Sequence, residues 1–466
     1  MQEELFVDDR AKRLKSWLII AIAIVSSVAL YYLLPYDTNA NKGLALLLFV
    51  AIMWFSEAIH ISMTAILVPV IAIFIGVGKS NADGSFSAFS IKQALANFSD
   101  PTIFLFFGGF ALATALHMQS IDKKIAMKIL SLSKSHLGVA IIAICIATAA
   151  LSMWISNTAT AAMMLPLVMG ILSELDPKKD RNTFVFALLC VAYSASIGGL
   201  GTIVGSPPNA IASQALGFDF ASWMKIGTPL MLMILPLMIV VLYFVFRPNL
   251  SQKINMQIEE IPWTRPRVVT LILFSVTALA WIFSKPLSKL TGIPFSDALI
   301  ALSATAVIVV LHLATWEQIS KGTDWGVLIL FGGGLALSSI LKDSGASLIL
   351  GKEVARIFGD FSTLGIIFVV CTFIIILTEF TSNTASAALL VPVFATIASN
   401  MGMPKEILVM VIGVGASCAF MLPVATPPNA IVFGTGHIRQ RDMIKAGGYL
   451  NIGCVIIISL FVYFYF

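Results

Sequence analysis

The chain has 466 residues, 58% of them hydrophobic and only 11% charged, with a net charge of +5 and a mean hydropathy of +0.95. Soluble domains average about 45–50% apolar and about 25% charged residues. A soluble enzyme, a nucleic-acid binder and a disordered chain are therefore excluded, and the main partner of this surface is the lipid bilayer.

Apolar runs recur at about the 20-residue length of a membrane helix. The roughly ten-residue alternation of a membrane barrel is absent. The fold class is thus all-α integral membrane. Eleven spans are predicted, near Trp17–Leu34, Gly43–Ile59, Met63–Val77, Pro101–Leu116, Phe184–Leu216, Ile226–Phe246, Val268–Phe283, Ala298–Leu313, Val327–Leu341, Ile407–Gly434 and Leu450–Phe466. Two more apolar blocks, Leu137–Leu172 and Thr363–Ala398, carry a polar break at their middle. Each arm is too short for two comfortable crossings, since 17 residues make only about 25 Å of helix. Both blocks read as re-entrant hairpins that return to their own side, with the tip shielded by protein.

Threading the chain with its N-terminus in the cytoplasm places 19 Lys and Arg in inner segments and 10 in outer ones. This bias favours an N-terminus inside and a C-terminus outside, and the short loops without a transit-like presequence fit a cell inner (plasma) membrane. Met1–Lys15 is charged and the first apolar run is long enough to stay as an anchor, so no cleavable signal is expected. Cys145, Cys190, Cys371, Cys418 and Cys454 all fall in apolar runs and read as small buried hydrophobes.

The chain is written twice. Ser156-Asn157-Thr158 opens an eleven-residue segment that returns at Ser382-Asn383-Thr384, with seven identities at an offset of 226. Val204–Ile211 returns as Val424–Ile431, with six of eight positions identical at an offset of 220. Phe107-Gly108-Gly109 returns as Phe331-Gly332-Gly333 at 224. The resulting organisation is a first segment and span (1–42), a first repeat (43–246, hairpin 137–172, broken helix 184–216), a cytoplasmic linker (247–267), and a second repeat (268–466, hairpin 363–398, broken helix 407–434). Each repeat holds five crossings, so the second enters from the opposite face. Such inverted repeats place a substrate site at the midplane where they meet.

The repeated motifs explain how. At a hairpin tip a new helix starts, with free N–H groups and the positive end of its dipole. Ser and Asn are good N-caps there. Such a tip seats an anion, while the helix that ends beside it leaves carbonyls for a small cation. Pro207-Pro208 and Pro427-Pro428 remove two backbone donors each and push the preceding residue out of helical geometry. Both spans break there and expose carbonyls, for example those of Gly205 and Ala425. The same Ser, Asn and Thr residues would alternatively serve as interhelical glue worth about 0.6 kcal/mol each, a reading the paired occurrence disfavours. No Lys or Arg lies in these elements. A bound dianion would then need cations bound beside it, and hydroxyl, amide and carbonyl oxygens suit Na⁺. Glu379 reads either as a proton or cation carboxylate or as a hydrogen-bonding partner that stabilises its hairpin. Glu57, His117 and His312 sit at span ends and read as caps or interfacial groups.

At the paired Ser-Asn-Thr and [Ser/Thr]-Pro-Pro-Asn motifs, the whole chain resembles the divalent anion:sodium symporter (DASS) family, including its bacterial sodium-dependent dicarboxylate transporters. The resemblance implies a homodimer whose transport domain slides elevator-fashion across a scaffold. It implies substrate carboxylates on Ser156, Asn157, Thr158, Ser382, Asn383 and Thr384, with Thr426 and Pro427 nearby. It also implies two Na⁺ sites, one at Ser152, Ser156, Asn157 and the carbonyl of Gly205, the other at Thr378, Ser382, Asn383 and the carbonyl of Ala425. Ser152 and Thr378 each stand four residues before a motif serine, one helical turn away. The expected function is Na⁺-coupled import of C4-dicarboxylates such as succinate, fumarate and malate. An exchanger, or a carrier of citrate or another oxyanion, would use the same parts. A channel would want a charge-ringed pore, and an intramembrane enzyme a nucleophile or metal set; neither pattern is present, so no enzymatic activity is expected.

Overall fold

The computed structural model describes residues 2–80, 86–131, 136–253, 261–358 and 361–466. Residues 254–260 of the expected linker lie outside these. α1 (Gln2–Leu33) packs along α2 (Thr38–Ser56), and from α2 onward the elements repeat in order. The first set is α2, α3 (Ile61–Phe74), α4 (Ile91–Leu95), α5 (Pro101–Met118), α6 (Ile121–Ser131), α7 (Leu137–Ser152), α8 (Asn157–Leu172), α9 (Arg181–Gly198), α10 (Pro207–Leu216) and α11 (Phe220–Phe246). The second set begins with α12 (Arg265–Ile282), then a short extra helix, α13 (Ser284–Thr291). It continues as α14 (Asp297–Val310), α15 (Trp316–Gly322), α16 (Trp325–Asp343), α17 (Ala346–Phe358), α18 (Thr363–Thr378), α19 (Asn383–Asn400), α20 (Lys405–Gly415), α21 (Pro427–Phe433) and α22 (Gln440–Tyr465).

Local chemistry fixes many of these boundaries. Asp100 caps α5 through the amide of Thr102, with Pro101 at the first helical position, where its missing donor costs nothing. Ser90 and Thr315 form capping boxes with Gln93 and Gln318 at the corresponding helices α4 and α15. Glu57 ends α2 in the left-handed region at φ 49°, so the helix stops three residues short of the predicted Ile59.

Eight helical stretches among the described residues are long and apolar enough to cross a membrane. The other three predicted spans are the 14-residue α3 and α14, which correspond to each other, and the broken α20–α21. One small sheet joins the helices. β1 (Gly78–Ser80) pairs antiparallel with β2 (Phe86–Ala88), in register Gly78 to Ala88. Asn39 fixes it, donating to Gly78 O at 2.8 Å and accepting from Gly78 N at 3.1 Å.

The halves interlock. α3 packs on α16 and α5 on α14, each pair drawn from both repeats. Beyond its break, α10 packs on α19 and α20, and α21 packs on α8 and α9. Each half-helix therefore lies against the hairpin of the opposite half. α9 is buried from Thr183 to Gly198, as is most of α20, which makes these two the centre of the molecule. The amphipathic α6 and α17 correspond to each other and were not foreseen as elements.

Candidate functional site

Both apolar blocks fold as hairpins with arms of 16 to 18 residues. Ser156 and Ser382 are the N-caps of α8 and α19, accepting from the amides of Ala159 at 3.3 Å and Ala385 at 3.4 Å. The cap takes the third amide of each helix. The amides of Asn157, Thr158, Asn383 and Thr384 have no intrahelical acceptor by construction and point ahead of the helix. Thr158 is exposed and Thr384 partly so, and the other tip residues Ser156, Asn157, Ser382 and Asn383 are half-buried.

The broken helices supply the rest. Ser206 and Thr426 adopt extended backbone, at φ −149° and −142°, as the residue before proline must. Thr426 caps α21 through the amide of Asn429 at 3.3 Å. Ser206 instead meets Ser417 of the other half at 3.0 Å. The two hydroxyls are thus used differently, one within its helix and one between halves.

Oxygen rings form beside each tip. In the first half, Ser152 Oγ lies 2.7 Å from Asn157 Oδ1 and 2.6 Å from Ala195 O. In the second, Thr378 Oγ1 lies 2.5 Å from Asn383 Oδ1 and 2.8 Å from Ala416 O. In the second triad a single hydroxyl hydrogen serves two close contacts, whereas in the first the orientation of the Asn157 carboxamide decides whether a proton is lacking. A small cation would relieve that deficit with the ligands Na⁺ prefers. The carbonyl of Gly205 stands 3.3 Å from the Asn157 carboxamide atom of this ring. Turning the Asn157 carboxamide over would put its nitrogen 3.3 Å from Gly205 O, 3.0 Å from Ala195 O and 2.7 Å from Ser152 Oγ, which closes the ring without an ion. In the second ring it is Ala416 whose carbonyl Thr378 reaches; Ala425 stands ahead of Thr426, partly buried. Among the described residues no cluster of three or more His, Cys, Asp or Glu is placed to hold a metal.

Two asparagines without an expected role brace the breaks. Asn209 Nδ2 donates to Gly199 O at 2.8 Å and Thr202 O at 2.7 Å. Asn429 Nδ2 donates to Ala419 O at 3.1 Å and Leu422 O at 3.0 Å. All three positions are related by the same offset of 220, so the brace is duplicated. Only the Asn of the Pro-Pro-Asn repeat signalled it. Asn209→Ala strands two buried carbonyls, at about 1–3 kcal/mol each. The expected result is a thermal midpoint in detergent lowered by several degrees, with Asn429→Ala doing the same.

Pro427 is exposed, as are Val424 (85%) and Phe380 (72%). Two cavities flank the hairpins at corresponding places. One of about 340 Å³, between α5 and α8, reaches Ser156 and Ala159 and is also lined by His117 and Lys321. The other, about 510 Å³ between α16 and α19, stops at Ala388, well beyond Ser382. There α16 closes on α19 so tightly that a Cβ on Gly334 would stand 3.0 Å from that of Ala388. A further cavity, of about 640 Å³ between α11 and α13, includes no tip residue.

Glu379 is buried and its carboxylate accepts from the amides of Phe420, Met421 and Leu422 and from Asn451. Glu57 serves as a helix end, and His117 bonds the buried Asp122 at 2.9 Å.

Residues 12–466 match the family model described as the sodium:sulfate symporter transmembrane region. The chain is 52% identical over 461 residues to an uncharacterised transporter of Haemophilus influenzae, covering 97% of each chain. It is 34% identical to the sodium-dependent dicarboxylate transporter SdcS of Staphylococcus saprophyticus, over 92% of this chain and 87% of that one. Among solved structures, the YdaH transporter of Alcanivorax borkumensis shares the fold with a TM-score of 0.56 at 12% identity, over 90% of this chain and 99% of that one. These matches span the whole membrane region, motifs and breaks included, and the chain belongs to the divalent anion:sodium symporter family, a family of membrane transporters and not of enzymes.

Proposed function

We propose that this protein is a Na⁺-coupled secondary transporter that imports C4-dicarboxylates, with succinate, fumarate and malate as its substrates. The observation that carries the reading is the duplicated pair of polar clusters, Ser152–Asn157–Ala195 and Thr378–Asn383–Ala416, each beside a helix N-terminus. Each ring takes one Na⁺. The adjacent tips take the substrate carboxylates, on the amides and side chains of Ser156, Asn157, Thr158, Ser382, Asn383 and Thr384, with Thr426 and Pro427 bordering them. Because no Lys or Arg lies in either tripeptide, the two cations supply the positive charge that lets a dianion leave water. The naming of the Staphylococcus relatives as sodium-dependent dicarboxylate transporters supports the choice of substrate.

The hairpins and broken helices form the transport domain, and the early spans of each repeat form the scaffold of a homodimer in the cell inner membrane. With the N-terminus in the cytoplasm, the cavity that reaches Ser156 opens inward, and the Gly334–Ala388 contact seals the outer side. Elevator movement of the transport domain would exchange these two conditions.

Labelled succinate uptake into proteoliposomes tests this. Uptake should saturate with succinate and rise at least tenfold with an inward Na⁺ gradient over choline. Equal uptake in both salts removes the coupling. Uptake that needs internal dicarboxylate identifies an exchanger, and competition by sulfate or citrate but not succinate moves the substrate to another oxyanion.

A further inference from the structure

The internal duplication provides a control within one molecule, and the two halves differ in charge at the residue after Ser152 and Thr378. In the first half that residue is Met153; in the second it is Glu379. The Glu379 carboxylate is 2% exposed and receives Phe420 N at 2.8 Å, Met421 N at 2.9 and 3.0 Å, Leu422 N at 3.1 Å and Asn451 Nδ2 at 2.7 Å. Three successive amides turned on one anion form a concave nest. The carboxylate thereby ties the end of α18 to the unwound segment after α20, and through Asn451 to α22. Gly447 of α22 makes room for this: a Cβ there would stand 2.3 Å from Phe420 O.

The first break is held by neutral groups. Thr202 Oγ1 donates to Met153 O, Trp223 Nε1 to Leu200 O at 3.0 Å and Thr228 Oγ1 to Gly201 O at 3.0 Å. The second break has neutral donors on its carbonyls too, from Asn429 and Tyr193, but its amides are in addition gathered by a charge. Thr378, whose hydroxyl belongs to the second oxygen ring, is the neighbour of Glu379 on the same helix end.

We propose that Glu379 is a positioning residue for the second cation site, one that fixes the segment after Ala416 against Thr378 and Asn383 and makes the two Na⁺ sites unequal. It touches neither ring. It acts through the backbone it holds, and its negative charge favours a cation close by in a low-dielectric setting. The first site has no such support and is the weaker of the two. This inference rests on the Na⁺-coupled reading above.

Glu379→Gln keeps the shape but offers one acceptor where there were two, and brings an NH₂ against the Met421 amide. The expected result is a Na⁺ concentration for half-maximal uptake raised about tenfold, with uptake at saturating Na⁺ recovering to within about twofold and the succinate KM there unchanged. Hydrogen exchange of the Phe420–Leu422 amides, measured without Na⁺, should quicken in the variant. That readout needs no transport, so it separates the brace from the coupling: Na⁺-independent uptake by the wild type removes the coupling alone. Unchanged exchange, or an unchanged Na⁺ half-saturation in a protein that is Na⁺-dependent, overturns the proposal. Loss of uptake that saturating Na⁺ does not restore in folded protein also overturns it. Should Glu379→Gln not fold, Asn451→Ala removes one of the donors and should shift the Na⁺ half-saturation in the same direction by a smaller factor. No shift in that variant counts against the proposal equally.

Discussion

Asn157→Ala and Asn383→Ala should each reduce Na⁺-driven succinate uptake about a hundredfold while the purified protein stays folded and monodisperse. Each asparagine sits at the first position of its tip helix and contributes one oxygen to a ring of three. Losing a hydrogen-bonding or ligating oxygen to a buried charge costs about 1.5–3 kcal/mol, which is roughly 10- to 150-fold in occupancy. The loss extends to the substrate, because a dianion without its neighbouring cation meets the full desolvation cost of entering a site with no basic side chain. Both substitutions shorten a side chain at a partly exposed position, so the fold should tolerate them. Uptake by either variant at the wild-type rate and Na⁺ dependence would refute the assignment of the rings.

The second large effect is expected from a single methyl group. Gly199→Ala places a Cβ 2.5 Å from Asn157 Oδ1 and 2.9 Å from Gly205 O. Neither neighbour has space to yield. Asn157 is held by Ser152, and Gly205 itself presses on the Gly199 carbonyl, where its own Cβ would stand at 2.5 Å. Overpacking of this kind costs about 1–3 kcal/mol, and it falls on the group that completes the first ring. Uptake should drop below a tenth of wild type, accompanied by a modest loss of thermal stability. The corresponding residue of the second half is already alanine, Ala419. Ala419→Gly should therefore retain transport. A Gly199→Ala protein that transports normally would show that the first ring has no such close approach to protect.

The spans were legible because hydropathy alone dictates them, and the hairpins because polar residues interrupted short apolar arms twice at one spacing. The Pro-Pro pairs located both breaks for the same reason: a missing donor and a fixed φ act locally. What escaped was whatever depends on a partner far along the chain. Ala195 and Ala416 enter the rings through carbonyls, and a carbonyl leaves no mark in a sequence. Gly199 admits Asn157, a close approach between residues 42 positions apart that no local pattern announces. Asn209 and Asn429 were visible as repeated letters, but their partners ten and seven residues back lie in an unwound stretch whose course periodicity does not give. Glu379 kept two readings because the three amides it gathers come from the other side of α20. The amphipathic α6, α13 and α17 carry no hydropathy signal: they are 8 to 13 residues long and too polar to register as spans.

The exchange of contacts between halves, α3 with α16, α5 with α14, α10 with α19 and α21 with α8, bears on how the protein is made. A ribosome finishes the first half before any of those mates exist. Until then the nascent chain must shelter its polar tip and its unwound backbone without them, in lipid or with helper proteins of the insertion machinery. Closure is then a late, long-range event, and the two halves synthesised as separate polypeptides in one cell should find each other and regain activity that neither has alone.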